Sequence, residues 1–402
     1  MFWFRLFLPF AGAYFLSYHF RTINAVVGPI LSAELSLGAA DLGLLTSTYF
    51  IAFGAAQLPL GLFLDRFGAR RVEAVLLLAA ALGAAVFAGS TTINMLALGR
   101  GLIGLGVSAC LMASFKAFSQ WAPAEKMASL TGWIMTAGTL GAFVSTAPLD
   151  TILAFATWRQ VFWALAGITL AVSAWLYLGV PEKTHNTAPE PLAVLWGGVR
   201  QILSSRHFWW VAPIGMAQIG GFMAIQSLWS SAWLIHVNGY SRSQAADYLA
   251  AMSVAMMVAY ALIGLVSTRL ARRGISTLAL LGGGLLVALS ALTLIVSELS
   301  DQHYALWVVY GAFSSFGTLS YAVLSAGFPT ALSGRVNTTY NLMCFAGAFA
   351  FQWGMGLLID LLQAQGHDAA TSYRYAFISL IVCQFAAWFW LLLGRRRASA
   401  QI

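Results

Sequence analysis

Apolar residues run through this chain in long stretches separated by short polar segments. A helix needs roughly 20 apolar residues to cross the hydrocarbon core of a bilayer. The pattern predicts twelve such spans, at about 6–31, 42–64, 72–90, 94–118, 128–149, 159–180, 208–236, 245–268, 275–296, 304–330, 337–361 and 373–394. An even number puts both termini on one side. The first run is too long for the apolar region of a signal peptide and lacks a small-x-small cleavage site, so it is expected to stay as an uncleaved insertion signal.

The basic residues orient the spans. With the N-terminus in the cytoplasm, fifteen of the 21 Lys and Arg residues fall in cytoplasmic segments. Arg159, Arg242 and Arg374 lie on the other side, and Arg21, Arg100 and Lys116 lie within spans. Cytoplasmic loops of membrane proteins are enriched in Lys and Arg, so this bias supports both the orientation and the span count. The longest polar stretch runs from Pro181 to Arg206 and turns into a short amphipathic piece, Leu192 to Leu203, suited to the membrane surface. It divides the chain into a six-helix half at 1–180, a cytoplasmic linker at 181–206 and a second six-helix half at 207–402.

Composition agrees. The 402 residues are 60% hydrophobic and 8% charged, where a soluble domain carries about 25% charged residues. The formal charge of +8 is spread over short loops rather than gathered in a patch, which excludes a nucleic-acid partner. Cys110, Cys344 and Cys383 lie in apolar runs without C-x-x-C spacing and read as small hydrophobes. No metal-ligand spacing, P-loop, H-E-x-x-H or G-x-S-x-G occurs, so no cofactor and no enzyme activity is expected.

The two halves repeat weakly. Gly61 to Arg71 reads G-L-F-L-D-R-F-G-A-R-R after the second span, and Gly264 to Gly274 reads G-L-V-S-T-R-L-A-R-R-G after the eighth. Gly61, Asp65, Arg66, Gly68, Arg70 and Arg71 resemble the loop between helices 2 and 3 of the major facilitator superfamily. R-G-L-I-G-L-G, Arg100 to Gly106, and W-R-Q-V-F, Trp158 to Phe162, support the resemblance, which covers essentially the whole chain. It implies an all-α membrane fold of twelve helices in two six-helix pseudo-repeats. It also implies a secondary transporter that works by alternating access, with its substrate between the halves near mid-membrane. Two features depart from the family pattern. Thr268 replaces the loop aspartate in the second half, and span 5 has Gly138 and Gly141 but lacks the central Gly-Pro of antiporters. A drug/proton antiporter is therefore disfavoured.

Ionisable residues inside spans are costly and mark function by default. His19, Arg21 and Asn24 fall in the first span, Arg21 roughly 20 Å deep at 1.5 Å per residue. Arg100 and Lys116 fall in the fourth, Lys116 near its cytoplasmic end, where snorkelling competes with cavity lining. All thirteen acids, Glu73 among them, map to helix ends or loops. A buried cation without a carboxylate is expensive, so an anionic or zwitterionic solute is expected to answer it: an organic acid, a phosphorylated metabolite, an amino acid or a metal chelate. The competing reading has Arg21 packed on backbone carbonyls. His19 is the candidate carrier of a coupling proton, against a merely satisfied buried histidine, and a counter-anion is the other coupling option.

The second half offers neutral groups. Gln218, Gln226 and Trp229 share one broad face if the helix stays regular past Gly220 and Gly221. Tyr321 and Asn341 add a hydroxyl and an amide in later spans. Such groups also serve as helix-to-helix bonds. Asp65 is expected to hold arginines or a helix N-terminus of the other half in one gate state, the alternative being that the loop only sets topology. Arg100 and Gly104 are read as structural or coupling residues. The expected assembly is a monomer in a bacterial-type inner membrane with both termini cytoplasmic. A non-transporting sensor or scaffold on the same fold is the alternative.

Overall fold

The structure is a computed structural model. It describes residues 3–123, 126–181, 192–329 and 332–398, and the side chains of 128, 192–196, 264–269, 271, 272 and 395–398 are not described. The linker segment 182–191 and Glu125 lie outside the described residues.

Each apolar run is helical. In the first half, α1 (Leu8–Thr22) and α2 (Asn24–Leu35) form the first span, α3 (Ala39–Phe67) the second and α4 (Ala69–Gly89) the third. The fourth span is α5 (Ile93–Gly106) with α6 (Cys110–Trp121), the fifth α7 (Met127–Val144) with α8 (Ala147–Ile152), and the sixth α9 (Trp158–Gly179). The amphipathic piece is α10 (Leu192–Leu203). The second half holds α11 (Arg206–His236), α12 (Arg242–Arg272), α13 (Thr277–Ser297), α14 (His303–Ser325), α15 (Ser333–Ala364) and α16 (Ala369–Ala398). Ten segments among the described residues are long and apolar enough to cross a membrane unaided. The other two spans are the divided first one and α7–α8, so the architecture is the expected twelve.

Three spans are divided, and at the breaks in the first and fourth, side chains capture backbone carbonyls, a recognised cause of helix irregularity. Arg100 Nη1 donates to Phe20 O at 2.7 Å, just before the division at Ile23. Between α5 and α6, Ser17 Oγ donates to Val107 O at 3.4 Å and Gln57 Nε2 to Ser108 O at 3.2 Å. Neither break holds a proline, so the apolar pattern runs through both. The repeat is visible in the turns: Gly68 follows α3 at φ +81° and Gly274 follows α12 at φ +82°, a conformation that favours glycine.

The most extensive contact between the halves, the seam, is α3 packed antiparallel on α15, and α7 and α8 pack on α12 as a second one. At the seam the helices approach closely because Gly43 lies under the Gln352 carbonyl, where an added Cβ would stand 2.6 Å from the oxygen. Mid-seam, Phe53 and Phe345 stack at 4.1 Å. One apolar core continues across both halves.

Candidate functional site

Arg21 sits at the centre of this seam. The α1 helix carries it inward, and only 6% of its surface remains exposed. Its guanidinium carbon lies 4.4 Å from the Tyr18 ring centroid, 5.6 Å from Phe53 and 5.4 Å from Phe345. Two of those rings belong to the first half and one to the second. Tyr49 and Tyr260 are also neighbours, the latter beside Tyr18 and Ser315. Arg21 Nε has no hydrogen-bond partner. Cation–π contacts with desolvated rings contribute about 2 kcal/mol, whereas removing such an ion from water costs several kcal/mol. The rings leave a deficit that an anion can meet.

A chain of polar contacts runs past this cation from one half to the other. Tyr321 Oη donates to Asn341 Oδ1 at 2.8 Å, and Asn341 Nδ2 donates to Gln57 Oε1 at 3.1 Å. Gln57 reaches in turn to the break between α5 and α6. Asn341 is one turn from Phe345 and Gln57 one turn from Phe53, so Arg21, Tyr321 and Asn341 share one region at the seam.

The other sequence candidates go elsewhere. His19 turns its Nδ1 to Gly141 O at 3.3 Å on α7. Asn24 Nδ2 donates to Thr46 Oγ1 at 3.0 Å. Gln218, Gln226 and Trp229 do not share a face: they reach Gln384 O at 3.0 Å, Met256 Sδ at 3.6 Å and Gln352 O at 3.2 Å, on three different helices. The reason is that α11 contains wide i→i+5 turns at Gly215–Gly220 and Ile225–Trp229, which shift its register. Trp229 instead lines a cavity of about 300 Å³ at the far end of the bundle, together with Pro29, His236, Asp360 and Tyr373.

Arg100 is fully buried and stands 5.1 Å from the Tyr49 ring centroid. Gly104 lets α5 rest on α3, since an added Cβ would stand 2.2 Å from Tyr49 O. Lys116 leaves the central site and pairs with Asp65 at the loop end of the bundle. Asp65 therefore bonds within its own half here rather than to the second half. Gly61 is open, Arg66 lies 5.2 Å from the Phe67 ring, and Arg70 Nη1 donates to Val180 O at 3.1 Å. Arg71 makes contacts of its own.

The opposite end of the bundle carries links between the halves. Asp360, near the end of α15, accepts the Ala39 and Ala40 N–H groups at 3.0 and 2.8 Å. These open α3, so the carboxylate also meets the positive end of the helix dipole. Arg242 Nε pairs with Asp150 Oδ1 at 2.6 Å. Within the first half, the W-R pair of the sixth span holds Glu34: Trp158 Nε1 donates at 2.6 Å and Arg159 Nη1 at 2.5 Å. These donors hold the Glu34 carboxyl below its ordinary range.

A further sequence expectation is overturned. Glu73 is not a helix-end acid in contact with water. It is fully buried in α4 beside Cys110, and neither carboxylate oxygen lies within ordinary hydrogen-bond distance of a described donor. Helix α4 extends three residues further toward Gly68 than the apolar run suggests, which draws Glu73 into the packed bundle. Sequence reasoning also missed Gln57, Tyr18, Phe53 and Phe345. Tyr18 lies one turn from Arg21, a visible signal. The rings of α3 and α15 are ordinary apolar positions until the helices are paired.

Comparison with known proteins agrees with this architecture. The family model described as Major Facilitator Superfamily matches residues 10–352. A Cupriavidus necator protein named "Probable sulfoacetate transporter" is 25% identical over 275 residues, covering 65% of this chain and 64% of its own. The "Hexuronate transporter" of Escherichia coli K12 is 26% identical over 228 residues, covering 52% of each. The chain thus spans less than two thirds of the length of either relative. Among solved structures, a bacterial homolog of the human lysosomal transporter Spinster, in an inward-facing and unoccupied conformation, superposes with a TM-score of 0.76. That match has 19% identity and covers 97% of this chain and 96% of that one.

Proposed function

Because the chain belongs to the Major Facilitator Superfamily, a family of membrane transporters, we propose that it carries a small organic acid, a carboxylate or sulfonate, across the inner membrane by alternating access. The observation that carries this reading is Arg21: a cation buried at the seam, ringed by Tyr18, Phe53 and Phe345, with no carboxylate paired to it among the described residues. An acid group of the solute supplies the missing charge. The Tyr321–Asn341–Gln57 chain offers hydrogen bonds to its hydroxyl or carbonyl oxygens. The names of the sulfoacetate and hexuronate relatives support an organic-acid cargo. The Lys and Arg bias supports an orientation with both termini and the Asp65 loop in the cytoplasm; in that orientation the Asp360 and Asp150 links are on the outer side.

The test is exchange across liposomes containing the purified protein, with labelled glucuronate or sulfoacetate against neutral glucose. One of the acids exchanges and glucose does not. Arg21→Gln, folded by its melting profile, loses exchange, because stranding a buried charged partner costs about 2–5 kcal/mol, or about 30-fold and more in affinity. Undiminished exchange by this variant, or failure of both acids, refutes the proposal.

A further inference from the structure

The site described above does not use Glu73, yet its setting is that of a functional group. Its surface is fully buried, neither oxygen lies within ordinary hydrogen-bond distance of a described donor, and the side chain it meets is the weakly donating thiol of Cys110, the first residue of α6. Among the described residues no basic group pairs with this carboxyl, and an unpaired ion in a membrane interior is disfavoured. The packing suits the neutral carboxyl. The helices around α4 bring few other titratable groups. On α6 there is Cys110, and on α9 there is Tyr177, which lies 5.4 Å from Arg70. On α5, Arg100 turns to Phe20 and Tyr49. On α3, Asp65 is held by Lys116. On α4 itself, Arg70 reaches Val180 and Arg71 precedes Glu73 by two residues.

Glu73 is also placed to sense the substrate site. Cys110 follows directly on the break at Val107–Ala109, whose carbonyls are held by Ser17 and Gln57. Gln57 is bonded to Asn341 of the other half. A movement of the break that admits water to Glu73 therefore strains the same contacts that bridge the halves beside Arg21. Coupling of this kind runs through an element that both sites touch, and the interrupted fourth span touches both: Cys110 meets Glu73, and the Ser108 carbonyl meets Gln57.

We propose that Glu73 is the proton-binding group of this transporter, taking up one proton with each organic monoanion held at Arg21. The step forms one O–H bond on a carboxylate oxygen. The proton comes from water on the side to which the bundle is open, and it returns to water on the other side after the halves rock. One monoanion and one proton move together, without net charge. This inference rests on the organic-acid reading for its cargo but not for its proton.

Two measurements separate the two claims. Infrared difference spectroscopy of the purified, ligand-free protein in lipid reads protonated carboxyls directly. At neutral pH the wild type shows a protonated-carboxyl C=O band, and Glu73→Gln lacks it. A wild type without that band, or a band that survives in Glu73→Gln, overturns the proposal whatever the substrate is. In liposomes with the membrane potential clamped at zero and labelled glucuronate, a monoanion, or sulfoacetate, a dianion, an inward proton gradient of one pH unit drives about tenfold accumulation at one proton per anion. Glu73→Gln keeps exchange at equal pH and accumulates nothing under the gradient. Undiminished accumulation by Glu73→Gln overturns the proton role and leaves the organic-acid site standing. Loss of exchange in the wild type itself is a failure of the organic-acid reading alone.

Discussion

Replacing Asp360 by asparagine removes a charge while nearly preserving shape, and the consequence follows from the geometry. The carboxylate accepts two backbone N–H groups at 3.0 and 2.8 Å, at the N-terminus of α3. A hydrogen bond to a charged group contributes about 1.5–3 kcal/mol and a neutral one about 0.5–1.5. Asparagine keeps one acceptor oxygen, weakened by loss of charge, and turns an NH2 group toward the second N–H. The helix dipole removes a further few tenths at this half-buried position. The net loss is about 2 kcal/mol, or about 30-fold in the balance between the state closed at this end and the state open there. A population 99% closed would fall to about 75%. Spin labels at Ala33→Cys on α2 and Gln363→Cys on α15, in a Cys383→Ser background, report the separation across this end by pulsed electron resonance. Asp360→Asn adds a longer-distance component absent from the parent. An unchanged distance distribution, with the variant folded, refutes the argument that this contact holds the end closed.

Other perturbations address other parts of the structure. Tyr321→Phe removes the donor to Asn341, which lowers stability by about 1 kcal/mol, and it weakens solute binding by a similar amount, about fivefold; a melting profile and a competition binding assay read the two effects. Gly104→Val forces atoms into the Tyr49 backbone, where even a Cβ would stand 2.2 Å from the carbonyl oxygen. Overpacking costs about 1–3 kcal/mol or more, so the variant melts lower or fails to accumulate in the membrane, and a wild-type melt contradicts the packing. Lys116→Ala frees Asp65 and changes the transport rate with little change in equilibrium binding; if the loop serves topology alone, the rate is unchanged. The Glu34 carboxyl is held low by Trp158 and Arg159, so its stabilisation is complete above the unfolded carboxylate range and is lost as pH falls through its own lower value. Acid lowers the melting temperature of the wild type more steeply than that of Glu34→Gln, and equal slopes exclude the contact as a source of stability.

The spans, their number and the basic bias were legible because a bilayer judges each segment by itself: roughly twenty apolar residues suffice whatever the neighbours are. Arg21 was legible for the same reason, and the turn glycine Gly68 from the loop motif it belongs to. What the sequence left open is partnership. Lys116 had two reachable destinations, and only the position of α3 beside α6 brings it to Asp65. Gln226 and Trp229 followed helical geometry until the wide turns of α11 changed their register. Phe53, Gln57, Asn341 and Phe345 form one constellation only because α3 and α15 pack antiparallel, some 290 residues apart in the chain. Glu73 is the sharpest case. A local rule places an acid near a helix end in water, and tertiary packing buries it. Segment-by-segment partition into lipid fixes which residues cross the membrane, but the contacts that position charge depend on helices distant in sequence, and these are decided only when the bundle closes.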